Sequence, residues 1–143
     1  MTTRIDARFN ALKAQGRAAL VTFVMAGDPD AETSLAVLKA LPAAGADVIE
    51  VGMPFTDPMA DGVTIQRSSQ AALKQGVSLK WILGELRAMQ RPSTPLVLMS
   101  YLNPLLQYGY ERLAVDAAAA GVCGFIVPDL PFDEGADFRS ALH

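Results

Sequence analysis

Cysteine and histidine are nearly absent from this sequence. The one cysteine, Cys123, permits no internal disulfide and no cysteine-rich zinc site, and its place in the apolar run 122–127 reads as a small buried hydrophobe. The one histidine, His143, is the last residue. A Ser-His-Asp or Cys-His triad needs a histidine placed by the fold, so that chemistry is set aside, and no metal site is expected. Positive charge is also sparse. The 12 Lys and Arg are scattered singly and the net charge is −3, so no basic stripe offers itself to nucleic acid. No apolar run approaches the ~18 residues that span a bilayer, and residues 1–10 are polar and charged, without the apolar centre of a signal peptide. A cytoplasmic protein with neither nucleic acid nor membrane as partner is expected. Neither G-x-G-x-x-G nor a Walker sequence occurs.

What is present is an ordinary core-forming composition, 51% hydrophobic and 19% charged, suited to a single domain over 1–143. Four short runs, 19–25, 47–51, 96–101 and 123–127, are rich in β-branched residues and nearly continuous, as parallel strands covered on both faces are. Helical patterns lie between them. Residues 31–43 carry Leu35, Leu38 and Leu41 on one stripe after the start signal Asp28-Pro29-Asp30. Residues 63–74 and 79–89 read as two helices, 110–120 as another, and 5–14 as an extra helix ahead of the first strand. The order is α, then βα four times. It fits either an open doubly wound sheet or part of a (β/α)8 barrel, whose complete form needs about 250 residues. Asp133 and Glu134 look like the first turn of a fourth helix with Phe138 and Leu142 as its stripe, and the chain stops there as if in mid-element.

One repeat is visible. Residues 43–51 match residues 119–127 at an offset of 76, each copy a helix end, a glycine and a strand, each followed by a proline-phenylalanine pair. The comparison isolates Glu50, which stands where the second copy has Ile126. A carboxyl desolvated in an apolar strand has its pKa raised, which suits a group that must give and take a proton. The alternative is a buried glutamate paired with lysine or arginine. Asp61, in the turn-rich Pro58-Met59-Ala60-Asp61-Gly62, is open to two readings, catalysis or capping of the helix that follows. Asp57 has a turn-forming alternative in Thr56-Asp57-Pro58.

The whole segment Ile49-Glu50-Val51-Gly52-Met53-Pro54-Phe55-Thr56-Asp57-Pro58-Met59-Ala60-Asp61-Gly62 resembles the signature of tryptophan synthase alpha subunits. Phe23-Val24-Met25-Ala26-Gly27-Asp28-Pro29 is similar to the family's first strand and loop, Gly62-Val63-Thr64-Ile65-Gln66 to its following helix, and Met99-Ser100-Tyr101-Leu102-Asn103-Pro104 to its third βα loop. The resemblance runs from about Phe9 onward.

It implies an α/β fold, the parallel (βα)4 half of a TIM (β/α)8 barrel with an extra N-terminal helix. It implies a lyase of tryptophan biosynthesis that cleaves indole-3-glycerol phosphate by a retro-aldol step to indole and glyceraldehyde 3-phosphate. By position, Glu50 would be the acid/base at ring carbon C3, and Asp61 would bind the indole N–H and stabilise the charge that develops there. Phe23, Tyr101 and Ile126 would line the indole pocket. Pro54, Asp57, Leu102, Asn103 and Pro104 would face the beta subunit in an alpha2beta2 complex. No cofactor is implied, since pyridoxal phosphate belongs to the beta partner. Phosphate in such barrels is held by loops after strands seven and eight, which these residues do not include, so activity of this stretch alone is not expected. A non-catalytic half-barrel acting as an interaction module is the other reading. A third, a barrel such as indole-3-glycerol phosphate synthase, finds no match to that family's lysine-centred chemistry.

Overall fold

The computed structural model describes residues 2–89 and 92–143; Met1, at the head of the polar N-terminal stretch, lies outside them. Four parallel strands form one sheet in chain order: β1 (Val21–Met25), β2 (Val48–Gly52), β3 (Leu96–Met99) and β4 (Val122–Ile126). The helices are α1 (Arg4–Ala14), α2 (Ala31–Ala40), α3 (Val63–Lys74), α4 (Leu79–Ala88), α5 (Leu102–Tyr108), α6 (Tyr110–Ala119) and α7 (Ala136–Leu142). Sequential strands that pair in parallel, joined by helical crossovers, make a curved sheet of the barrel type rather than a doubly wound one, whose order reverses.

Local chemistry sets the element ends. Thr3 and Asp6 form a reciprocal capping box on α1, Asp30 caps α2 through Thr33 N–H at 2.8 Å, and Ser78 caps α4. Gly121, at φ 79°, turns the chain after α6 as the repeat suggests. Its counterpart Gly45 sits farther from its helix, because Pro42 lacks the N–H that would carry α2 onward.

Side chains on a strand alternate between faces. One face of the sheet, with Val24, Ile49, Val51, Leu96, Leu98 and Phe125, packs on the helices in the main core. Ile49 is fully buried, and burying a side chain of that size is worth about 1.5–3 kcal/mol. The other face carries two rows across the strands: Phe23, Glu50, Val97 and Gly124, then Met25, Gly52, Met99 and Ile126. In β4, a register shift opposite Leu96–Val97 absorbs Cys123 as an extra residue, which keeps Gly124 and Ile126 on this face. Cys123 is half-buried, within 3.4 Å of the Arg4 guanidinium, rather than the buried hydrophobe its neighbours suggest.

The N-terminal end of the barrel is tied by charge. Asp47, fully buried just before β2, accepts from Arg8 at 2.5 Å, from Arg17 at 2.7 and 2.9 Å, and from Leu20 N–H at 2.7 Å. These donors, the Arg17 pair foremost, hold its carboxyl far below the usual range. This ion cluster fastens α1 and the chain ahead of β1 to the foot of β2.

Two expectations need correcting. Residues 102–105 are not loop but the first turn of α5, started by Leu102 N–H donating to Asp129 Oδ1 at 2.9 Å. Asp133 and Glu134 belong to a 3-10 turn (Phe132–Glu134), and α7 begins only after Gly135.

Candidate functional site

Glu50 is the third of five residues in β2. Its neighbours in the ladder are Phe23 of β1 and Val97 of β3, so its carboxyl stands on the face away from the helices, half-buried. Gly52, two residues on, makes the room that Phe23 needs. A Cβ there would lie 2.5 Å from the tip of the Phe23 ring.

No lysine or arginine pairs with Glu50 among the described residues, so the reading of a buried structural ion pair does not hold. Burial raises its pKa above the ordinary carboxylate value, and the negative charge of Asp61 raises it further. A carboxyl pushed upward in this way exchanges protons nearer neutrality than a free glutamate.

Asp61 comes from the loop that follows β2 and crosses the C-terminal edge of the sheet. The capping alternative for Asp61 fails: the N-cap of α3 is Gly62, with no side-chain cap bond. The backbone of Asp61 is pinned instead, its N–H to Pro58 carbonyl at 3.0 Å and its carbonyl to the Gln66 amide at 2.9 Å. The carboxylate, not used in capping, lies within electrostatic reach of Glu50 and beside the Tyr101 hydroxyl.

Three side chains that sequence reasoning did not single out fasten the segments at this edge, two of them the β2 loop itself. Ser69, on the inner face of α3, accepts from Phe55 N–H at 2.8 Å and donates to Phe55 carbonyl at 2.9 Å. Two such bonds contribute about 1 kcal/mol each. Gln66 holds Asp61, and Asp129 reaches from the loop after β4 to the start of α5. The only advance signal is small or polar residues on otherwise apolar helix stripes, which is a weak one.

Phe23 adjoins Glu50 directly, and Ile126, 42% exposed, lies in the adjacent row. Tyr101 is different. It follows β3, is 2% exposed, stacks on Phe55 at 5.3 Å between ring centres, and accepts at its hydroxyl from Ala60 N–H at 2.9 Å. Burial, with the Asp61 carboxylate beside it, pushes its phenol above the ordinary value. Of the residues expected to face a partner, Pro54 is buried, Leu102 and Pro104 are half-buried, and Asp57 and Asn103 are exposed. A hollow of about 380 Å³ on the outer side of the β2 loop is lined by Phe55 to Met59, Gln66 and Gln70.

A parallel β/α sheet with a carboxylate pair toward its C-terminal edge defines half of a barrel of the (β/α)8 class, which builds its sites at that edge. Residues 9–143 match the family model described as "Tryptophan synthase alpha chain". The chain belongs to that family. It is 58% identical over 134 residues to the tryptophan synthase alpha chain of Granulibacter bethesdensis, covering 92% of this chain and 48% of the relative. To that of Caulobacter vibrioides it is 55% identical over 141 residues, covering 97% and 51%.

Among solved structures, it superposes on tryptophan synthase from M. tuberculosis with a TM-score of 0.93 at 40% identity, over 99% of this chain and 57% of the other. For subunit alpha from Legionella pneumophila the TM-score is 0.93 at 38% identity, over 99% and 55%. The chain thus spans about half the length of the curated relatives it matches.

Proposed function

We propose that these residues supply the proton-transfer half of a lyase site that cleaves indole-3-glycerol phosphate to indole and glyceraldehyde 3-phosphate. The observation that carries this reading is Glu50: an ionisable group in an apolar strand, with no basic partner among the described residues, its pKa raised by burial and by Asp61.

In the proposed step, Glu50 gives a proton to indole C3, and the ring becomes a cationic indolenine. Asp61 accepts a hydrogen bond from the ring N–H and stabilises that charge through electrostatics already in place. The Glu50 carboxylate left behind takes the proton of the glycerol hydroxyl next to the ring, the carbon bearing that hydroxyl becomes the aldehyde, and the carbon–carbon bond to C3 breaks. Its electron pair restores the neutral indole. Phe23 and Ile126 offer the apolar walls a flat ring needs. No cofactor enters these steps.

The exposed Asp57 and Asn103, with the hollow beside the β2 loop, suit a protein partner at the C-terminal edge, read here as a tryptophan synthase beta subunit. Biosynthesis of this kind belongs in the cytoplasm, in keeping with described residues among which no helix is long and apolar enough to cross a membrane.

Phosphate in this class is gripped after strands seven and eight. The test therefore uses a full-length alpha chain whose first half is residues 1–143 and whose second half comes from the Caulobacter vibrioides relative. Indole and glyceraldehyde 3-phosphate are assayed together. Equimolar release that disappears in Glu50→Gln supports the reading. A chimera that binds a beta subunit but releases neither product would point to an interaction module instead.

A further inference from the structure

The Tyr101 side chain ties together two loops that come from different strands. Its ring lies against Phe55, which Ser69 clamps to α3 by two hydrogen bonds. Its hydroxyl oxygen accepts from Ala60 N–H, the residue immediately before Asp61. Having accepted, the hydroxyl still has its own proton to donate, and the neighbouring acceptor is the Asp61 carboxylate. At 2% exposure the ring has almost no surface left to offer a substrate.

We propose that Tyr101 is a positioning residue: its buried ring and hydroxyl hold the Ala60–Asp61 segment and so set where the Asp61 carboxylate stands relative to Glu50. The proposal rests on the lyase reading above. Asp61 sits on a loop between β2 and α3, and its backbone bonds to Pro58 and Gln66 are local. The bond from Ala60 to Tyr101 spans 41 positions in sequence and refers the loop to β3, the strand that also pairs with Glu50. One strand therefore fixes both carboxylates. An electrostatic stabiliser is effective only where it is held in place before charge develops, and misplacement by about 1 Å costs up to roughly a hundredfold in rate.

The test compares Tyr101→Phe and Tyr101→Leu in the chimeric alpha chain, with Tyr108→Phe as a control that breaks a 2.5 Å bond to Asp116 elsewhere. Tyr101→Phe keeps the ring and loses only the hydroxyl. We expect kcat to fall roughly ten- to a hundredfold with KM within about twofold, the Ala60 amide to exchange with solvent faster, and the Glu50 limb of the kcat/KM profile to move to lower pH as Asp61 drifts away. Tyr108→Phe leaves all three unchanged.

If Tyr101→Phe is silent and only Tyr101→Leu acts, by raising KM, the residue is a pocket wall and the proposal is overturned. A lowered melting temperature with Ala60 exchange and the pH profile unmoved overturns it as well. Should the parent chimera release no indole, the lyase reading fails by itself, while Ala60 exchange in Tyr101→Phe still decides whether the tether exists.

Discussion

Phe23 and Glu50 are register partners across β1 and β2, and the space the Phe23 ring fills is left by Gly52, the last residue of β2. An apolar ring and a half-buried carboxyl are thus set side by side by the register, in room left by one missing side chain. Gly52→Ala should push the tip of the Phe23 ring out of its place beside Glu50, because the new Cβ would lie 2.5 Å from it. The expected result is a raised KM for indole-3-glycerol phosphate with a melting temperature changed by only a degree or two, checked by steady-state kinetics and thermal unfolding of the chimera.

Glu50→Gln should lower indole release by at least ~10², the usual contribution of general acid/base catalysis. It should also stabilise the fold at neutral pH. The folded pKa of Glu50 lies above its unfolded value, so the charged form carries a penalty that is absent below the unfolded value, roughly 4.3, and complete above the folded one. Thermal unfolding at pH 4 and pH 7 should show the variant gaining on the parent only at the higher pH. An equal gain at both would mean that burial of Glu50 is not the cause.

Asp61→Asn should reduce turnover while leaving the melting temperature in place, because Asp61 caps no helix. Removing its charge takes away the second cause of Glu50's raised pKa. The Glu50 titration, followed by carboxyl NMR, should therefore move down. A drop of several degrees in melting temperature with turnover preserved would restore a structural role.

Asp47→Asn should be among the most destabilising changes in the chain, because a buried carboxylate that accepts from Arg8, Arg17 and Leu20 N–H becomes an amide with one acceptor oxygen and an NH2 facing those donors. Asp47's folded pKa is depressed, so its contribution is present above the unfolded carboxylate pKa and is lost as pH falls through the folded one. Urea unfolding of parent and variant should converge only in strong acid and stay apart from mild acid upward.

Asp57→Ala and Asn103→Ala should weaken stimulation by a beta subunit more than they alter basal turnover or melting, since both side chains are exposed and outside the core. Titration of each variant with the beta subunit measures this. Unchanged activation would remove them from the interface.

The strands, their parallel sense and the order of helices were legible because the runs carry their own periodicity and, before α2, a start signal: Asp30 caps that helix as the letters suggest. Glu50 was legible as the one charge in an apolar strand. The two-sided grip of Ser69 on Phe55, and the reach of Tyr101 to Ala60, were not. Such bonds depend on which loops the fold brings together, and no local pattern encodes a contact 41 positions away. Asp47 was missed for the same reason. Its partners Arg8 and Arg17 lie 39 and 30 positions off, and in sequence it reads only as the first residue of the run 47–51.

The alternation along β2 makes the site sensitive to chain length upstream. Ile49 and Val51 are buried against the helices while Glu50 points the other way. One residue inserted in the turn 41–46 and taken up as a one-place slip of β2 against β1 and β3 would put Glu50 into the slot of Val51, a carboxyl in the driest part of the core, and Ile49 onto the face away from the helices. Two inserted residues would restore the facing but carry Asp47 away from the arginines at the foot of the strand. Lineages of this sequence should therefore drift by insertion and deletion in the exposed segments elsewhere and hold the spacing between α2 and Glu50 constant.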